Sequence, residues 1–163
     1  MSNSASELAS AIQDTMGDSW IPRIYGDRIL KMRTRAYEFP ALAKNAEPQI
    51  HHTLLGIELK VGRRRMLCPD LATARYLCVF ARVGCKAVAI PYDITKISHV
   101  ADELESSWYR ILLLADESTR QGPETLRARV RRLLIERMRD EITQAGAGTR
   151  APEFARSTKQ RQR

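Results

Sequence analysis

Apolar residues change their spacing several times along this chain, and each change marks an element. Residues 4–16 place Leu8, Ile12 and Thr15/Met16 on one stripe, with Ser4 and Glu7 spaced as a capping box and Gly17 ready to end the helix. The stripe is thin, so this helix is expected to form only when docked. Trp20, Ile21, Ile24, Tyr25, Ile29 and Leu30 follow as buried candidates. The spacing of Ile29, Met32 and Ala36/Tyr37 predicts a helix over 28–39, and Pro40 and Pro48 bracket a loop.

The period then drops to two. Ile57, Leu59 and Val61 alternate with Glu58 and Lys60, and Gly62-Arg63 can form a two-residue turn. Residues 50–68 therefore predict a β-hairpin with Arg64 opposite Val61, Met66 opposite Leu59 and Cys68 opposite Ile57. That register gathers Ile57, Leu59, Val61, Met66 and Cys68 on one face and Glu58, Lys60, Arg65 and Leu67 on the other. Asp70 is a natural N-cap for a helix running to about Val83, with Gly84 as its stop. Residues 86–91 are almost wholly apolar, the pattern of a central parallel strand. Helical spacing returns over 94–116 and, after a breaker-rich loop, over 123–144.

These elements predict an α/β fold: a hairpin leading into a right-handed βαβ unit, a small mixed sheet flanked by helices, and two C-terminal helices. Residues 1–19 read as an N-terminal arm, 20–144 as a single domain, and 145–163 as a disordered basic tail. At 163 residues with 44% apolar composition, one core is expected. Three cysteines, Cys68, Cys78 and Cys85, make no even framework and read as reduced residues of a cytoplasmic protein. No signal peptide and no membrane span are evident in the pattern.

Charge sharpens the picture. The net charge is +8, which favours a polyanionic partner. It is unevenly spread: ten Lys/Arg against four Asp/Glu over 23–65, two against six over 93–117, and five against one over 145–163. Arg63, Arg64 and Arg65 at the hairpin tip, with Arg28, Lys31, Arg33 and Arg35 upstream, are the candidate phosphate contacts. Helix 123–144 carries Arg127, Arg129, Arg131, Arg132, Arg137 and Arg139; Arg132–Glu136 and Arg137–Glu141 are spaced as i,i+4 pairs, which favours a solvated face over a phosphate-tracking ridge or a partner helix. Pro91-Tyr92-Asp93 lies at the carboxyl end of the apolar strand, where α/β sheets hold ligands, although Asp93 also suits the N-cap of the next helix. His51 and His52 point to opposite faces of a strand, so a zinc site is not expected.

Glu58-Leu59-Lys60 puts a carboxylate and an ammonium side by side on one strand face. With the helix and strand that follow, residues 57–91 resemble the restriction-endonuclease-like PD-(D/E)XK superfamily. The resemblance implies Glu58 as a Mg²⁺ ligand, Lys60 as the group that stabilises developing charge, and metal-assisted phosphodiester hydrolysis. Pro69-Asp70 is similar to that family's Pro-Asp pair, but stands after the E-x-K strand rather than before it; it makes Asp70 the third candidate catalytic residue. The other reading of Glu58 is neutralisation of Lys60 and Arg65. The expected function is a nucleic-acid-associated binding protein without a cofactor, acting on DNA or RNA. The alternatives are a Mg²⁺-dependent nuclease, and an adaptor or homo-oligomer in which acidic residues 102–105 meet the basic patches of a second copy.

Overall fold

Five α-helices and five strands form among the described residues of the computed structural model, which are 4–39 and 47–148. The class is mixed α/β, with the hairpin and the two C-terminal helices as expected. Helix α1 (Ala5–Met16) carries the complete capping box: Glu7 N–H donates to Ser4 Oγ at 3.1 Å and Ser4 N–H donates to Glu7 Oε1 at 2.9 Å. Its Ala5, Ala9, Ile12 and Met16 are buried in one hydrophobic cluster with residues of the other helices and the strands. A short 3-10 turn (Gly17–Ser19) leads to α2 (Ile21–Asp27), where Pro22 sits in the first turn, as its missing N–H allows.

The helix expected over 28–39 does not form. A 3-10 turn (Ile29–Lys31) is followed by β1 (Thr34–Glu38), with Thr34 buried and Arg35 exposed. The short pattern of apolar residues fits either period, and a distant strand decides: β1 pairs antiparallel with β5 (Ala87–Pro91), Thr34 opposite Pro91 and Glu38 opposite Ala87. The second sheet holds β2 (Gln49–Thr53), β3 (Gly56–Val61) and β4 (Arg64–Cys68) in the order β2-β3-β4, all antiparallel. The β3–β4 register is the one read from the sequence, with Ile57 opposite Cys68, Leu59 opposite Met66 and Val61 opposite Arg64. Gly62 supplies the positive φ of 61° that the turn requires.

Helix α3 (Leu71–Val83) has both predicted stops. Thr73 N–H donates to Asp70 Oδ1 at 2.7 Å, and Gly84 closes the helix in the left-handed region at φ 90°. The predicted βαβ unit and single mixed sheet are not formed, because β4 and β5 lie in separate antiparallel sheets. An apolar run reports burial on two faces, and here helices supply the cover. The free edge of β5 is completed by side chains: Ala89 N–H donates to the Tyr25 hydroxyl at 2.8 Å, and Ala89 O accepts from the Tyr76 hydroxyl at 2.6 Å. Two tyrosines thus satisfy the groups a further strand would pair.

Helices α4 (Ile94–Ser118) and α5 (Glu124–Ala145) close the core. Asp93 caps α4 by accepting from Thr95 N–H at 2.9 Å. Trp20 Nε1 donates to Glu141 Oε1 at 2.9 Å, and Arg137 donates to Ser6 and Ser10, tying α1 and α2 to α5. Neither i,i+4 pair read for Arg132 and Arg137 is formed; Glu141 and Arg137 turn to these tertiary partners instead. Residues 40–46 of the Pro40–Pro48 loop and the basic tail from 149 lie outside the described residues. Among the described residues no helix is long and apolar enough to cross a membrane.

Candidate nucleic-acid interface

The outer face of the three-stranded sheet carries Glu58, with His51 opposite it on β2 and Leu67 opposite it on β4. Lys60 shares that face, opposite Gln49 and Arg65. Glu58 Oε1 is buried without a hydrogen-bond partner, and Arg65 Nη1 stands 3.9 Å from it. Asp70 is committed to the α3 cap through one oxygen, and its Oδ2 is buried without a partner. His51 Nε2 is within 3.1 Å of Gln49 Oε1, and His99 Nε2 within 3.5 Å of Glu103. Among the described residues no group of three or more His, Cys, Asp or Glu side chains is gathered where a metal ion could be held. Glu58 and Asp70 thus belong to no such group among the described residues. The thiols offer no nucleophile either: all three cysteines are buried, and burial pushes Cys85 up to about 12 against the opposing pull of Arg139.

The candidate phosphate contacts divide into two groups. Arg28 is held by Glu103 in a two-pronged ion pair, both contacts at 2.6 Å; this raises the guanidinium and holds the Glu103 carboxyl below its ordinary range. Arg65 is drawn toward Glu58. Lys31, Arg33, Arg35, Arg63 and Arg64, by contrast, are exposed and have no carboxylate partner within 4.0 Å among the described residues. The two basic segments meet where the Tyr37 hydroxyl donates to Met66 Sδ at 3.1 Å. Arg35 and Arg64 each lie two residues before a member of that pair on the same strand face, about 7 Å along each strand.

The acidic residues 102–105 are internally occupied. Asp102 and Glu105 both receive Arg75 of α3, and Glu103 receives Arg28.

A cleft of about 480 Å³ opens where β1 and β5 meet the end of α5. Arg33 stacks over the Tyr92 ring there, its guanidinium carbon 5.0 Å from the centroid, and Tyr92 is 40% exposed. Gly148 forms the opposite wall. A Cβ on it would meet Thr34 Oγ1 at 2.8 Å and Ala89 Cβ at 3.1 Å, so the backbone crosses the sheet at a distance only glycine permits. Gly148 thus brings the chain to the start of β1, next to Lys31, Arg33 and Arg35 in sequence, and the fifteen residues that follow it carry five Lys/Arg and one Glu.

Sequence reasoning singled out Pro91-Tyr92-Asp93 but not the Arg33–Tyr92 pair. Nothing local to β1 announces that its first residues turn back onto the end of β5. The chain matches no family in a scan of protein families, and neither the curated proteins nor the solved structures give a match.

Proposed function

We propose that this protein binds nucleic acid through the sheet-side basic surface made of Lys31, Arg33 and Arg35 and the hairpin tip at Arg63 and Arg64, with the five Lys/Arg of residues 149–163 adding to the charge. The observation that carries this reading is the pattern of pairing. Arg23, Arg28, Arg65, Arg75, Arg82, Arg127 and Arg131 each have an acidic partner, whereas Lys31, Arg33, Arg35, Arg63 and Arg64 have none among the described residues and lie on two segments that meet at the Tyr37–Met66 contact; Lys96, Arg110, Arg120, Arg129 and Arg132, on and between α4 and α5, are exposed and open as well. Positive charge that is locally cancelled cannot attract a phosphate backbone, and charge left open can.

The test is a salt titration of binding to DNA and RNA, comparing the native chain with Arg63→Gln/Arg64→Gln and Lys31→Gln/Arg35→Gln. Removing one cation from the phosphate backbone reduces the slope of log K against log salt by about 0.7–0.9. Each double variant is therefore expected to flatten the slope by between one and two, while Arg82→Gln on the paired side leaves it unchanged. Absence of binding at low salt, or equal effects from paired and unpaired arginines, refutes the proposal.

A further inference from the structure

A second cleft lies beside the first, and the two share the backbone of Gly146 and Ala147 as a common wall. It measures about 280 Å³ and is lined by Lys86, Arg139 and Thr143. Arg139 is fixed in place: its Nε donates to Val83 O at 3.0 Å, and its guanidinium lies over Gly84 where a Cβ would stand only 2.9 Å away. Neither Lys86 nor Arg139 has a carboxylate within 4.0 Å among the described residues. Two open cations and a hydroxyl in a small cleft suit a phosphate. The larger cleft offers an aromatic ring with a guanidinium stacked on it, which suits the face of a base.

The two clefts stand at opposite ends of β5. Lys86 O accepts from Phe39 N–H at 2.9 Å at one end, and Tyr92 N–H donates to Arg33 O at 3.2 Å at the other, so the backbone between them is extended throughout. Six residues of extended chain span about 20 Å. That length exceeds one nucleotide and fits a run of several. A base in a duplex has both faces covered by its neighbours in the stack, so only an unpaired strand could present one to Arg33 and Tyr92.

We propose that the paired clefts flanking Gly146–Ala147 form a track for single-stranded nucleic acid, with a base stacked at Arg33–Tyr92 and a backbone phosphate held at Lys86, Arg139 and Thr143. This inference rests on the nucleic-acid reading above and deepens it by naming the form of the ligand. The test is fluorescence anisotropy on the full chain with labelled oligo-dT and oligo-rU of about ten nucleotides, a length within the usual site size for such grooves. A blunt duplex of the same length is the comparison, and a free mononucleotide the competitor.

Single strands of either backbone are expected to bind more tightly than the duplex, and the mononucleotide to compete weakly. Tyr92→Leu is expected to weaken single-strand binding by about 5- to 100-fold and to leave duplex binding unchanged. Tyr92→Phe, which keeps the ring, retains native affinity, and Lys86→Gln flattens the single-strand salt slope by about 0.7. Equal affinity for duplex and single strand, or indifference to Tyr92→Leu, overturns the track while leaving the basic-surface reading intact. A mononucleotide that competes as well as the oligomer overturns it too. No binding to any strand overturns both.

Discussion

Replacing Tyr25 with phenylalanine removes one oxygen that joins three parts of the fold. Tyr25 is fully buried on α2; its hydroxyl accepts from Ala89 N–H on β5 and donates to Gly146 O at 2.5 Å after α5. The ring packs edge-on to Phe80 with centroids 5.6 Å apart, and phenylalanine keeps that packing. The variant therefore isolates the hydroxyl. Ala89 is wholly buried, so its amide would be left without a partner, at a cost of about 1–3 kcal/mol. Gly146 O is only partly covered and can turn to water, adding about 0.5–1.5 kcal/mol. A total near 3 kcal/mol corresponds to a fall in Tm of about 6–12 °C for a chain of this size. Urea unfolding and calorimetry read the loss, and hydrogen exchange at the Ala89 amide locates it. A loss below about 0.5 kcal/mol, with Ala89 still protected, would show that β5 does not depend on the tyrosine for its free edge. The Gly146–Gly148 wall should also loosen, because Tyr25 is one of its anchors.

Alkaline pH should destabilise the fold. Burial raises Tyr25 from 10.0 to about 12 and Cys85 from 9.0 to about 12, so both groups contribute stability below their unfolded values and lose it as pH rises toward 12. Urea midpoints measured between pH 8 and 11 are expected to fall, and less steeply in Cys85→Ala; a flat profile contradicts the assignment. Arg75→Met should cost about 1–2 kcal/mol by opening the bridge from α3 to Asp102 and Glu105, with a smaller penalty at high salt because much of the bridge is solvent-facing. Gly84→Ala should cost about 2 kcal/mol, since φ is 90° and the new methyl displaces Arg139; equilibrium unfolding checks this, and an unaffected variant would mean that Arg139 moves aside freely.

What the sequence disclosed depended on how local the cause was. The β3–β4 register was legible because Gly62 pins the turn and alternation leaves one way to bury Leu59 and Val61. Helix α3 was legible because Asp70 and Gly84 stop it at both ends. β1 was not, because its pairing with β5 is decided by residues about fifty positions away. The apolar run at 87–91 correctly announced burial but could not say what would lie beside it; tyrosine hydroxyls from α2 and α3 stand where a parallel strand was expected. Tyr92 had a local signal as the aromatic at a strand end. Lys86, Arg139 and Thr143 had none, because a cleft assembled from the residues before β5 and the last two turns of α5 leaves no spacing to read.

The same contrast between local and tertiary causes governs the charge. Read along the chain, the acidic stretch 93–117 and the basic stretch 23–65 look like two surfaces that could face different partners. In the fold much of the first is spent: Glu103 takes Arg28, Asp102 and Glu105 take Arg75, and Asp116 takes Arg131 at 2.7 Å. Helix α4 thus neutralises arginines donated by the elements packed around it. Lys31, Arg33 and Arg35 belong to the basic stretch with Arg28, yet lie beyond its reach, because the chain turns at Ile29–Lys31 from the helical layer into β1. The carboxylates of α4 that pair do so with arginines of the helical layer, which is why Lys31, Arg33 and Arg35 keep their charge although they share the basic stretch with Arg28.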